Sequence, residues 1–212
     1  PRDLSTARSE IVETLKLGIP MAGAQLSQLA MTTTDVAFVG RLQGDALAAM
    51  AVGGASYSFF LSFGIGLMAA VNPLVSQAFG AGKPAGFLGR PVVVGCRVAL
   101  IYSLVCWAFL WNIDHLFARL AYDPDVAEQA TAYTRALMLG MPAFFVFVSL
   151  KNYLDGVSRP RLPFLIAFLG VGVNAMADYT LIFGHFSLPQ LGVMGAGLAT
   201  STVNAFMVVG LF

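Results

Sequence analysis

The sequence predicts an all-α membrane protein of six transmembrane helices, and three observations carry that expectation. Of its 212 residues, 58% are hydrophobic and only 11% are charged, and the mean hydropathy of +0.77 lies far outside the soluble globular range. The apolar residues gather in six runs long enough for a bilayer core of about 30 Å, which needs roughly 20 mostly apolar residues. Short stretches rich in Gly, Pro, Asp and Ser separate the runs, as connectors should. The positive residues are broken up by these runs and form no basic stripe, which argues against nucleic acid as a partner.

Residues 1–11, with Arg2, Asp3, Arg8 and Glu10, read as a polar cytoplasmic segment. An export signal would need a charged-then-apolar pattern there, so the first apolar run is expected to stay as a span. The six spans are placed at about 12–39, 47–79, 92–113, 131–154, 162–183 and 191–212. The second exceeds a straight crossing and should tilt or extend beyond the membrane. The connectors are Gly40 to Asp45, "GAGKPAG" from Gly80, "YDPD" from Tyr122, "GVSRPRLP" from Gly156 and "GHFSLPQLG" from Gly184.

Nine Lys and Arg residues lie on one side: Arg2, Arg8, Lys16, Lys83, Arg90, Arg97, Lys151, Arg159 and Arg161. The other side has Arg41, Arg119 and Arg135, beside the acidic Asp114, Asp123, Asp125 and Glu128. The positive-inside rule therefore expects a multi-pass protein of the cytoplasmic (inner) membrane with its N-terminus in the cytoplasm. The chain stops at Phe212 on an apolar run without a closing loop, so the expectation is one half of a longer, two-lobed transporter.

Several patterns invite a bland reading. Cys96 and Cys106 share one run, where a helix would hold them roughly 15 Å apart, too far for a disulfide. "GIGLMA" from Gly64 and "GAGLAT" from Gly195 imitate a dinucleotide loop but sit in no βαβ unit, so they read as small residues that let helices approach. His115 and His185 lack metal-ligand spacing. Pro20, Pro73 and Pro142 should locally free carbonyls or kink their helices, and Pro20 lies on the helix that carries Asp35.

The polar residues inside the spans are the informative ones. Asp35 and Asp178 each stand five or six residues before an outer connector, roughly 8 to 9 Å below it, and so at one depth. Gln25, Gln28, Thr32 and Asp35 follow spacings of three, four and three and share a helix face. Asn174 and Asp178, four apart, share another; Thr200 and Asn204 share a third, with Ser201 and Thr202 beside them. Such faces should turn from lipid towards other helices or a watery cavity. A buried carboxylate must be paired or neutralised, and no nearby Lys or Arg offers itself. Two carboxylates facing one pocket cannot both ionise cheaply, so they could take up a proton or hold a small cation.

These residues resemble the multidrug and toxic compound extrusion (MATE) transporters, particularly the bacterial NorM-like branch. The resemblance rests on "TTTDVAFVGRLQGDALAAMAVG" from Thr32, "NPLVSQAFGAGK" from Asn72, "YLDGVSRPRLPF" from Tyr153 and "NAMADYTLIFGHFSLPQLGVMGAGLAT" from Asn174, which together touch nearly the whole chain. It implies twelve helices in two six-helix lobes around a cavity, with residues 12–212 as the N-terminal lobe. It also implies an antiporter, not an enzyme, that exports cationic or aromatic compounds in exchange for H⁺ or Na⁺ without a cofactor. Its implied partners are the small-molecule substrates, the C-terminal lobe and the lipid bilayer.

The family's cation site is similar to Asp35, Asn174, Asp178 and Thr200; Asn152 matches a further polar position. No metal is expected beyond Na⁺ at that site. Pro20 matches a proline where bending of the first helix has been proposed. Pro160 stands where the family often has Thr, and the second lobe is missing from the sequence. Aromatic residues that could receive flat substrates are Tyr57, Phe59, Phe60, Phe144 and Phe147.

Two rival readings stay open. An intramembrane aspartyl protease would also use paired aspartates, but it typically shows Tyr-Asp and Gly-x-Gly-Asp, and here Thr34 and Ala177 precede the pair. A lipid-precursor flippase of related architecture would want a more cationic cavity to hold pyrophosphate.

Overall fold

The computed structural model describes residues 4–42, 44–185 and 189–211. Expectations that fall on Arg2, Asp3, residues 186–188 of the last connector, and Phe212 lie outside them. The described residues form eight helices in the order α1 (Leu4–Val39), α2 (Ala46–Ala69), α3 (Val71–Gly80), α4 (Ala85–Leu110), α5 (Ile113–Arg119), α6 (Pro124–Gly156), α7 (Arg161–Phe183) and α8 (Gly192–Leu211). The all-α membrane class holds. Five stretches are long and apolar enough to cross a bilayer: Ala46–Gly80, α4, α6, α7 and α8. The first predicted span, on α1, is long enough but not among them. Gln25, Ser27, Gln28, Thr32, Thr33, Thr34 and Asp35 dilute its hydropathy.

Three boundaries differ from the sequence reading, each for a local reason. The second span is interrupted at Ala70, which ends α2 and starts α3. Pro73 has no N–H for the carbonyl of Ala69 and its ring crowds that carbonyl, which disfavours an unbroken helix there, although α1, α4 and α6 run on through Pro20, Pro91 and Pro142. Asn152 of α6 donates to the Met68 carbonyl at 2.9 Å beside the break. The fourth span, expected from Thr131, begins at Pro124: the Asp123 side chain accepts from the Asp125 N–H at 3.0 Å, and Pro124 opens the helix. α4 likewise starts at Ala85 rather than Val92. Polar Asp125, Glu128 and Gln129, and Arg90 with Pro91, hide those first turns from a search for apolar runs. The short α5 was not expected at all.

Helix ends carry their own signals. After α3, the Lys83 N–H reaches the Ala78 carbonyl and the Gly82 N–H the Phe79 carbonyl, with Gly82 at φ 66°. This is the left-handed cap that glycine permits. The same pattern closes α6, but there the left-handed residue is Ser158 at φ 60°.

Buried α6 lies at the centre. One core gathers Tyr57, Met68, Cys106, Leu110, Met141 and Phe145 from α2, α4 and α6. A smaller one joins Ala24 and Met31 of α1, Ile166 and Ala167 of α7, Val203 and Met207 of α8, and Phe147 of α6. Gly140 faces Ser201 and Gly197 faces Ala136, with a Cβ on Gly140 standing 2.5 Å from Ser201 Cα. Gly195 lies equally close to the Leu181 carbonyl, where a Cβ would stand at 2.6 Å. Small residues thus let α8 seat between α6 and α7, which brings Thr200 against α1 and α7.

Candidate cation site

Four of the predicted site residues meet where α1, α7 and α8 converge. Asn174 Nδ2 donates to Asp35 Oδ1 at 2.8 Å and to Asp178 Oδ2 at 3.0 Å. An amide nitrogen has two hydrogens, so both are spent joining the carboxylates. Thr200 Oγ1 lies 3.0 Å from Asp35 Oδ2 and 3.1 Å from the Ala196 carbonyl. One hydroxyl proton can serve only one of these acceptors at a time. Asp178 Oδ1 is buried without a hydrogen-bond partner.

Among the described residues no Lys, Arg or His forms an ion pair with either carboxylate. The ion pairs among the described residues are Asp114 with His115 and Arg135, and Lys151 with Asp155. Asp35 retains 5% of its surface and Asp178 none. Two uncompensated charges held from water are costly, so this geometry calls for a neutralising particle. The side-chain oxygens at the site are those of Asp35, Asp178, Thr200 and the Asn174 amide, whose nitrogen alone makes the bridge. No cluster of three or more His, Cys, Asp or Glu residues suited to a resident metal occurs among the described residues.

Asp35 opens onto a cavity of about 420 Å³ between α1, α2, α6 and α8. Gln28, Thr32, Thr200 and Asn204 also line it, and Gln28 reaches Met207 Sδ at 3.6 Å. Asp178 and Asn174 do not line it; they lie behind Asp35. Gln25 is exposed on another part of α1, and Asn152 serves the α2–α3 break instead. Pro20 lies inside an uninterrupted helix and is buried. Of the candidate aromatics, Tyr57 and Phe144 line this cavity. Phe59 and Phe60 line a separate apolar groove, and Phe147 is core. Tyr133 lines the cavity and was missed by sequence. Its signal was the α6 stripe Tyr133, Leu137 and Phe144, spaced four and seven apart.

The match to a family model, MatE, covers residues 20–180. The chain is 45% identical over 195 residues to a probable multidrug resistance protein NorM of Bradyrhizobium diazoefficiens, covering 92% of this chain and 42% of that one. It is 35% identical over 190 residues to the multidrug resistance protein MdtK of Yersinia enterocolitica, covering 89% and 41%. The chain thus spans less than half the length of these relatives. Among solved structures, its fold resembles the eukaryotic MATE transporter AtDTX14, with a TM-score of 0.86 at 19% identity over 96% of this chain and 44% of that one. The helices that hold the acidic pair, the sequence and the fold agree: this chain belongs to the MatE family, the multidrug and toxic compound extrusion transporters.

Proposed function

We propose that this chain forms the cation-coupling lobe of a secondary antiporter that exports cationic or aromatic compounds from the cytoplasm in exchange for H⁺ or Na⁺. The observation that carries the reading is the buried Asp35–Asn174–Asp178 bridge, with which no Lys, Arg or His among the described residues forms an ion pair. The names of its relatives as multidrug resistance proteins support the substrate class. The cavity supports it too, with an acidic edge at Asp35 and apolar or aromatic walls at Tyr57, Tyr133 and Phe144.

The residues divide the work by their hydrogens and oxygens. With Asp35 ionised, the Thr200 hydroxyl donates to it. With Asp35 protonated, the carboxylic acid donates to Thr200 Oγ1, whose own proton turns to the Ala196 carbonyl. Thr200 therefore supports both states without leaving a polar atom orphaned. A sodium ion would instead draw on the oxygens of Asp35, Asp178, Thr200 and the Asn174 amide, as hard cations do. In either case a monovalent cation at Asp35 cancels the negative charge at the cavity edge, and with it the attraction for a cationic substrate. A cation shifts the equilibrium between the two states by its differential affinity for them. Pro20 withholds a hydrogen bond from the helix that carries Asp35 and is the point where that helix repacks. Proposed with this reading are the inner membrane as location, a cytoplasmic N-terminus, residues 12–212 as the N-terminal lobe, and a C-terminal lobe opposite the cavity.

The test is export by the full-length protein in proteoliposomes, driven separately by a pH and by a Na⁺ gradient. Asp178→Asn should lower gradient-driven export at least about tenfold, the equivalent of losing one strong interaction. Undiminished export by that variant under both gradients would end the proposal.

A further inference from the structure

Away from the acidic pair, an apolar-walled cleft opens between α1 and the start of α7. Val12, Leu15, Lys16, Ile19 and Pro20 form one wall and Arg161 the other, around about 330 Å³. A second hollow of about 410 Å³ shares Val12 and Lys16 and runs on past Arg8, Ser9 and Glu13. Deeper in the membrane the two helices close up, with Gly23 so near Phe164 that a Cβ would stand 2.6 Å from its ring. The cleft is the splay that follows that contact.

Depth decides what can occupy it. From Val39 back to Lys16 is 23 residues and from Phe183 back to Arg161 is 22, about 33 to 35 Å of helix. That spans a hydrocarbon core of about 30 Å, so both cations reach the headgroup level on facing walls. Ile19, 66% exposed, lies almost one turn further into the hydrocarbon, with Leu15 also exposed beside Lys16. Neither Lys16 nor Arg161 belongs to an ion pair among the described residues. Glu13 is the only acidic residue lining either hollow, against Arg8, Lys16 and Arg161. Net positive charge at phosphate depth, above an exposed apolar wall, is the chemistry of an anionic lipid site.

We propose that this cleft binds one anionic phospholipid, its phosphate between Lys16 and Arg161 and an acyl chain along Leu15 and Ile19. Under the orientation proposed above the lipid belongs to the cytoplasmic leaflet. It would rest on the turn of α1 where Pro20 leaves the Lys16 carbonyl without its helical donor.

Native mass spectrometry of the full-length protein, titrated with phosphatidylglycerol or phosphatidylcholine of equal chain length, tests the site without any transport measurement. The expected result is one phosphatidylglycerol retained about 30-fold over phosphatidylcholine, the preference that two surface cations supply. Lys16→Gln with Arg161→Gln should bring that preference close to unity. The charge-conserving pair Lys16→Arg with Arg161→Lys should keep it, and Arg90→Gln should leave it unchanged. Equal retention of the two lipids by the wild type overturns the proposal, as does a preference that survives the double glutamine variant. Displacement of the bound lipid by millimolar orthophosphate also overturns it, because the cleft would then be an anion site without lipid character.

Discussion

Asn174 commits both amide hydrogens to carboxylates, so its removal strips a donor from each aspartate at once. Asn174→Ala is expected to cost about 1 to 3 kcal/mol of stability, read as a lowered thermal midpoint in detergent. Thr200 makes a finer test: Thr200→Ser keeps the hydroxyl and should keep export, whereas Thr200→Val should lower it about tenfold, the worth of one hydrogen bond. On α5, Asp114 is held below the usual carboxylate range, first by its hydrogen bond with His115 and then by the charges of His115 and Arg135. A lowered value stabilises the fold above the ordinary carboxylate pKa and loses that contribution as the pH falls through the lowered one. The thermal midpoint of Asp114→Asn should therefore fall slightly below wild type at neutral pH and meet it in strong acid. Asp35, Asp178 and Asn174 were legible because a polar side chain in an apolar run stands out and a spacing of four fixes its face. Tyr133 was not, because an aromatic ring in a membrane helix looks the same whether it meets lipid, core or cavity.

Helix boundaries were legible only where composition changed together with structure. Gly82 and Gly184 advertise left-handed caps, whereas Ser158 adopts the same conformation with no glycine to announce it. A side chain in the left-handed region costs roughly 1 kcal/mol or more. Ser158→Gly should accordingly raise stability by about 0.5 to 1 kcal/mol once the entropy of glycine is set against that strain, again as a thermal midpoint. Pro73 was visible as a disruption, but a break at Ala70 rather than a kink goes with a contact no local pattern announces, from Asn152 to the Met68 carbonyl 84 residues before it. The early start of α6 was hidden because its first two turns stand on polar residues. The contact between α6 and α8 was half legible: the Gly-rich stretch from Gly195 announced close packing, but not which helix would be its neighbour. Gly140→Val should test that contact. It forces a methyl into Ser201 and should cost about 1 to 3 kcal/mol, as overpacking does.

The whole molecule follows from composition in class but not in arrangement, since hydropathy counts spans without saying which ones touch. Two cores, one on α2, α4 and α6 and the other on α1, α7 and α8, meet along α6 and α8, and the cavity lies against that seam. The proposed orientation has a direct check in a background of Cys96→Ala and Cys106→Ala. Lys83→Cys should react with a membrane-impermeant maleimide from the cytoplasmic side only, and Tyr122→Cys from the opposite side only; the reverse pattern inverts the orientation. The seam also makes the two aspartates unequal, for Asp35 meets the cavity while Asp178, with none of its surface free, lies behind it. Asp178 has no face of its own on the cavity. Under the proposed coupling, a cation arriving from the cavity meets the outer carboxylate first, with the inner one held to it through the amide of Asn174.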